Sequence, residues 1–435
     1  MSKQYTQEEV LSLNAQLEKI AKQVRKLLDS REFETAKHIL LTQALNLVPN
    51  HQIVLSDLAY CEKKLNNPLQ AYRYLMQALD NNTVIDPEVY DSLTSTCFSM
   101  KRFEEARYYA KLSLRRKKEL LVQQPPEIFP LPAEKAPGLS HDKRKNIICF
   151  SLFGSSPRYC ETSVLNVELA KKIYPEWTCR FYLDESVPAE VVLRLEKAGA
   201  EIIKVTPAQK KISGLFWRFF IFDDPSVQCF IIRDADSMLS YKEKAAVEQW
   251  LSSGKWFHIM RDALEHSELI LAGMWGGYSG IFGSIENLSE KFYRKLKVLN
   301  KTIDQHFLRT LYPTVAQSVL IHDNYLLDPD SHVFPDYPLS DIEKLPYFHI
   351  GMIDSSINTA SFSLKEKSHV NKVRWYLKNQ QNQEICSYIS PVKEREGEFV
   401  VDVNLPYFYS QQIAQGNWHF SYSILGEHNS STQMA

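Results

Sequence analysis

Cys229-Phe230-Ile231-Ile232-Arg233-Asp234-Ala235-Asp236-Ser237 reads as a buried strand that runs straight into two carboxylates. Four apolar residues in succession call for a strand covered on both faces, and the i, i+2 spacing of Asp234 and Asp236 puts both acids on one side of the extended chain. Ligands of open α/β folds collect at the carboxyl edge of the sheet. Hard carboxylate oxygens there suit Mg2+ or Mn2+, which leave most of their shell to water and substrate phosphate. A bare D-x-D also arises as a turn or as the cap of a following helix, here the one expected over 242–251, so the surrounding pattern has to decide.

Outward from that strand, short apolar runs alternate with amphipathic ones. Strands are expected over 146–153, 178–183, 201–205, 228–232 and 256–260, and helices over 162–173, 189–198, 215–222 and 242–251. Such alternation requires a mainly parallel sheet covered on both faces, which places the acidic pair at a strand end of a doubly wound α/β domain.

Upstream, residues 1–120 read as helix, broken near Pro49, Pro68 and Pro87 and free of glycine. Ala36, Ala71 and Ala106 recur 35 residues apart, with Leu40 and Leu75 at the next turn, then Ala44, Leu79 and Leu114, and with Leu58 and Leu93 on the preceding helix. The period resembles tetratricopeptide repeats, whose small residues sit where helices touch, although the usual Trp-x-x-Leu-Gly opening is missing from all three units. Such stacks bind another protein or a second copy of themselves; a generic array of helical hairpins is the alternative. Five prolines, Pro125, Pro126, Pro130, Pro132 and Pro137, mark 121–144 as an extended linker. Strand patterns over 372–377, 385–389, 398–403 and 418–424 predict a small β-rich module at 358–435, with a disordered tail from His428.

The 435 residues carry a net charge of -1, which gives no general attraction to nucleic acid. Seven scattered cysteines without a C-x-x-C suit reduced, buried thiols. The beginning of the chain lacks the apolar core of a signal peptide, and the greasiest run, 215–222, holds Arg218 and is too short for a transmembrane segment. A cytoplasmic protein is expected, with peripheral attachment at the inner face of a membrane as an option.

Ile231-Ile232-Arg233-Asp234-Ala235-Asp236-Ser237, preceded by Trp217-Arg218-Phe219-Phe220 and followed by His258-Ile259-Met260-Arg261-Asp262, His266 and Ala272-Gly273-Met274-Trp275-Gly276, resembles a bacterial and viral group of GT-A-type glycosyltransferases. Asp304-Gln305-His306-Phe307-Leu308 and Ile321-His322-Asp323 extend the likeness, which covers about 146–353. The resemblance implies a GT-A-like domain over 145–357, a nucleotide-sugar donor, Mn2+ or Mg2+, and a glycan or other acceptor, with bacterial surface polysaccharide synthesis as the expected role. Asp236 would be the first metal ligand and Asp234 a second, or a contact to ribose or metal-bound water. His322 would complete the site, with His349 as its rival; each is equally readable as a structural histidine. Arg218 and Arg233 would counter the diphosphate, unless they pair with Asp223, Asp224 or Asp262. Trp275 would offer a flat face to the sugar or else sit in the core. Asp304 would serve the acceptor as a base, with Asp262 beside it in the catalytic set, or cap its helix.

By position alone, Tyr159 could stack on the base and Asp184 could accept from the base or ribose, a surface turn being the plainer reading of both. Two other classes fit the same elements. A metal-dependent nucleotidyltransferase would use a similar sheet and acidic pair, and a non-catalytic scaffold would carry the repeats beside a degenerate α/β domain.

Overall fold

A computed structural model describes residues 6–296, 302–353, 359–365, 370–425 and 433–434. The chain forms two compact units: one of residues 1–127 with Arg261–Leu269 and Asp323–Val333, the other of 128–260, 270–322 and 334–435. These units cut the chain elsewhere than at 120, 144 and 357.

The first unit holds three helical hairpins. Helix Gln7–Asp29 is followed by Phe33–Ile39, which continues through a π-turn at Leu40–Ala44 into Leu45–Leu47; then come Gln52–Lys64 with Pro68–Asp80, and Pro87–Ser99 with Phe103–Gln123. Ala36, Ala71 and Ala106 are each fully buried, as small residues at helix crossings must be. The turns repeat with the same period: Arg31, Asn66 and Lys101 adopt φ of 62°, 64° and 60°, the left-handed conformation that ends one helix and lets the next turn back. In this unit Lys117, buried in the last helix, donates to Asp91 at 2.8 Å and to the Ser267 carbonyl at 2.7 Å, so one ammonium ties the segment Arg261–Leu269 to two helices.

The second unit is mixed α/β around a seven-stranded sheet. Its strands are β1 (Asn146–Leu152), β2 (Thr178–Leu183), β3 (Glu201–Lys204), β4 (Cys229–Arg233), β5 (Phe257–Arg261), β6 (Met274–Tyr278) and β7 (Val319–Asp323). The order is β3-β2-β1-β4-β6-β5-β7. β3, β2, β1 and β4 run parallel, whereas β6 runs against both β4 and β5. The chain moves outward from β1 through β2 to β3, then returns to the other side of β1 as β4. That reversal opens a crevice beyond the carboxyl ends of β1 and β4, where such sheets bind ligands.

Three sequence expectations change here. The helix expected over 215–222 is a 3-10 segment, Gly214–Asp223, whose residues from Phe216 to Phe222 are all buried. It is longer than such segments usually run, and it is held from β1, where Ser151 accepts from the Arg218 amide at 2.9 Å. β6 was hidden by its glycines, which are poor strand formers. A Cβ at Gly276 would stand 2.7 Å from the Phe230 carbonyl, and one at Gly277 would stand 2.8 Å from the Phe257 ring. These glycines admit neighbouring strands, not a ligand. The proline-rich stretch is not a free tether either: Phe129 donates to Thr314 at 3.0 Å and Ala136 to the Gly254 carbonyl at 3.0 Å.

The C-terminal part adds β8 (Thr359–Ser363), β9 (Lys372–Asn379), β10 (Glu384–Pro391), β11 (Lys393–Arg395), β12 (Glu398–Asn404), a helix at Tyr407–Ala414 and β13 (Trp418–Ile424). Most of the tail from His428 lies outside the described residues; Gln433 and Met434 pair with β13. Trp375, Val401 and Phe420 share one hydrophobic cluster with Ile148, Phe181 and Ile231 of the central sheet. Glu161, in helix Pro157–Ile173, links the same layers. It takes Arg194 at 2.8 and 2.7 Å, the Tyr388 hydroxyl at 2.5 Å and the Tyr409 hydroxyl at 2.9 Å, and it is fully buried. Replacing Glu161 with Ala leaves a guanidinium and two hydroxyls without their shared acceptor. Urea unfolding of that variant should show a loss of about 3–5 kcal/mol.

Candidate functional site

β4 delivers its acidic pair into the crevice beside the end of β1. Ser151, Leu152 and Phe153 line one side of a pocket of about 120 Å³, Tyr159 and Leu215 another, and Arg218, Asp234 and Asp236 its polar end. The strand ends at Arg233 and the acidic pair lies in the turn that follows, closed by the Ser237 amide donating to the Asp234 carbonyl at 3.2 Å, so a turn and not an extended chain presents the two acids. Asp234, Ala235 and Asp236 all line the pocket, while Arg233, the last residue of the strand, is buried.

Two arginines meet the two acids. Arg218, buried in the 3-10 segment, donates to Asp234, to the Arg233 carbonyl at 3.1 Å and to Asp304 at 2.9 Å. Burial disfavours its charge, but the carboxylates of Asp234 and Asp304 outweigh that and hold it firmly protonated. Arg158, in the first turn of helix Pro157–Ile173, places both Nε, at 2.8 Å, and Nη2 on one oxygen of Asp236. Asp236 is only 7% exposed. Burial and then the charge of Asp234 push its carboxyl upward, with Arg158 opposing. The Asp234 side chain, by contrast, is 41% exposed. Gly273 packs against it so closely that a Cβ there would overlap the Asp234 carboxylate and lie 2.9 Å from its amide nitrogen.

Tyr159 stands at the mouth, with the Arg158 guanidinium 5.1 Å from its ring centre. It belongs to the first turn of a helix that begins at Pro157, earlier than the sequence pattern suggested, and not to an open loop. Arg158 was missed by sequence reading. Its signal was a guanidinium just beyond the first strand, on the side where the acidic pair emerges.

The other expected residues go elsewhere. Arg233 is buried and pairs with Glu243 at 3.2 Å, and Glu243 also accepts from Tyr174 at 3.2 Å, so Arg233 has no access to a diphosphate. Trp275 is fully buried, its ring centre 5.1 Å from Phe222 and 6.1 Å from Phe219, which makes it core and not a sugar platform. Asp184 caps its own turn by accepting from the Ser186 amide at 3.1 Å. Asp304 lies in the first turn of helix Ile303–Val315, behind Arg218 and not among the pocket-lining residues; burial raises its carboxyl, Arg218 opposing. Asp262 belongs to the first unit, where it accepts from Asn324 at 2.5 Å. Asp223 caps helix Ile285–Arg294, accepting from the Ile285 amide at 2.7 Å, and Asp224 pairs with Arg180 at 2.6 Å.

His322 is buried inside the sheet. Its Nδ1 meets His258 Nε2 at 2.8 Å and its Nε2 meets Gln249 Oε1 at 2.8 Å, so both ring nitrogens are engaged by protein. His349 has its Nδ1 3.2 Å from the Ile350 carbonyl. Among the described residues no group of three His, Cys, Asp or Glu side chains stands together as a metal cage. The structure does not bring either histidine to the acidic pair.

No protein-family model matches the sequence, and no curated protein does. Among solved structures, a mutant of the Thermobaculum terrenum O-GlcNAc transferase matches 48% of this chain at 11% identity and a TM-score of 0.25, and the match spans 45% of that chain. Overlap so slight leaves the site to be read from its own residues.

The buried histidine pair has a consequence for stability. Burial, and then His322, hold His258 well below the usual histidine range, so the folded protein keeps it neutral while the unfolded chain protonates it near pH 6.5. The unfolded state therefore binds more protons below that pH, and stability falls as pH drops through it. Melting temperature followed from about pH 7.5 to about pH 5 should decline, and His258→Gln should flatten part of that slope.

Proposed function

We propose that this chain is a divalent-metal-dependent transferase that takes a sugar from a nucleotide-sugar donor bound in the crevice between β1 and β4. One observation carries the reading. At the point where the sheet order reverses, a partly exposed carboxylate, a buried one and the Arg218 guanidinium line a pocket with Phe153 and Tyr159, and Arg158 pairs with the buried carboxylate. Aromatic flanks suit a nucleobase, and the charged end suits a diphosphate.

The donor set fits a hard cation. Asp234 and Asp236 offer two carboxylates, and Mg2+ or Mn2+ needs no more than that from protein when substrate phosphate and water fill the remaining positions. When bound, such an ion neutralises the diphosphate as it departs. The chain supplies the rest. Arg218 is locked by three acceptors, so it presents a fixed positive charge beneath the pocket instead of following the ligand. Asp304 acts as a positioning residue for Arg218, which supports the reading that the acceptor is activated by some other group. A pocket of about 120 Å³ is smaller than the roughly 300–1,000 Å³ of sites that enclose a whole ligand, so it would seat part of the nucleotide while the sugar extends outward. The helical hairpins of the first unit would serve protein binding, not chemistry.

A thermal-shift screen of nucleotide-sugars with and without Mn2+ tests this. One donor should raise the melting temperature by roughly 2 °C or more, only when Mn2+ is present, at about a hundredfold excess over its Kd. Asp234→Asn should abolish the metal-dependent shift while leaving the unliganded melting temperature within about 2 °C, because the side chain is partly exposed. Turnover should release a nucleoside diphosphate. Release of pyrophosphate from a nucleoside triphosphate would show nucleotidyl transfer instead, and a screen without any response would end the proposal.

A further inference from the structure

Resting on that reading, we infer that Arg158 takes the position on Asp236 that a divalent ion would need, so that the site accepts such an ion only together with a diphosphate. Both Nε and Nη2 of Arg158 converge on the same oxygen of Asp236. Asp236 is buried, whereas the Arg158 side chain is 27% exposed at the end of a flexible stem. The carboxylate is the more buried partner and the guanidinium the more exposed one.

Charge balance makes the two ligands interdependent. Asp234, Asp236 and Asp304 face Arg158 and Arg218, which leaves a small negative excess. A divalent ion alone would reverse that excess and would have to displace a guanidinium that then stands beside it without an anion. A diphosphate alone would add negative charge to two carboxylates. Together they cancel: the ion takes Asp236, and Arg158 turns to the phosphate oxygens, which match its planar fork at least as well as a carboxylate does. Arg218 cannot make that exchange, because its position is fixed by the Arg233 carbonyl, Asp234 and Asp304. Arg158 is thus the positioning residue that couples metal to substrate, and by linkage each ligand tightens the other by the same factor.

The test is Mn2+ binding to the full chain, followed by the electron paramagnetic resonance signal of free Mn2+, with and without UDP or GDP. The parent protein should bind Mn2+ weakly alone and about 5–150-fold more tightly with the matching nucleoside diphosphate. Arg158→Gln should bind Mn2+ alone at least about tenfold more tightly than the parent and lose most of the coupling. Arg158→Lys, which keeps the charge, should stay closer to the parent, and its melting curve controls for folding. Equal Mn2+ affinity in parent and Arg158→Gln without nucleotide would overturn the inference while leaving the metal site standing. Absence of Mn2+ binding in every variant, with or without nucleotide, would overturn the metal-dependent function and this inference with it.

Discussion

A single buried guanidinium, that of Arg218, is what the crevice is arranged around. It sits on a 3-10 segment that the sheet itself holds in place, and it reaches the end of β4 and the first turn of a helix that begins some seventy residues later in the chain. Without it, Asp234 and Asp304 would face each other uncompensated at the edge of a low-dielectric interior. The charge of Asp234 pushes the Asp304 carboxyl upward, and Arg218 opposes that push. The geometry of the acidic turn is therefore set by an ion network from inside the protein, before any ligand is considered.

Helix Pro157–Ile173 provides the opposite wall, and its first turns serve two masters. Tyr159 lines the pocket and Arg158 pairs with Asp236 at its edge, while Glu161, barely a turn further, is clamped by Arg194, Tyr388 and Tyr409. Through Tyr388 and Tyr409 the C-terminal part thereby fixes the axial position of the helix that carries Arg158. A β-rich appendage whose own surface suggests no chemistry acquires a part in the site by holding one wall still.

The sequence made some of this visible. Apolar runs disclosed β1 to β5 because most of their residues are covered by neighbouring layers, and the 35-residue period survived because a helix crossing tolerates only a small side chain. The i, i+2 spacing of Asp234 and Asp236 presumes an extended chain, whereas both lie in the turn after β4, where Ala235 lines the pocket with them. Other features had no local signature. β6 was masked by glycines whose reason is the bulk of Phe230 and Phe257 on neighbouring strands. His322 resembled a ligand until its partners appeared, Gln249 at a separation of 73 residues and His258 at 64. Arg158 lies 78 residues before Asp236, and only the return of the chain across β1 makes them neighbours. The left-handed turns at Arg31, Asn66 and Lys101 escaped notice because none is glycine.

All seven cysteines are buried and unpaired, and burial lifts Cys61, Cys97 and Cys149 to about 12. Thiolate is the reactive form, so in the folded protein these sulfurs are inert to alkylation for two independent reasons, access and ionisation. They are also well distributed: Cys61 and Cys97 in the helical hairpins, Cys149, Cys179 and Cys229 in three parallel strands, Cys160 in helix Pro157–Ile173 and Cys386 in the C-terminal sheet. The chain thus carries its own set of chemical clocks. The rate at which each thiol becomes reactive under native conditions would time the opening of the element around it, without a label having to be introduced.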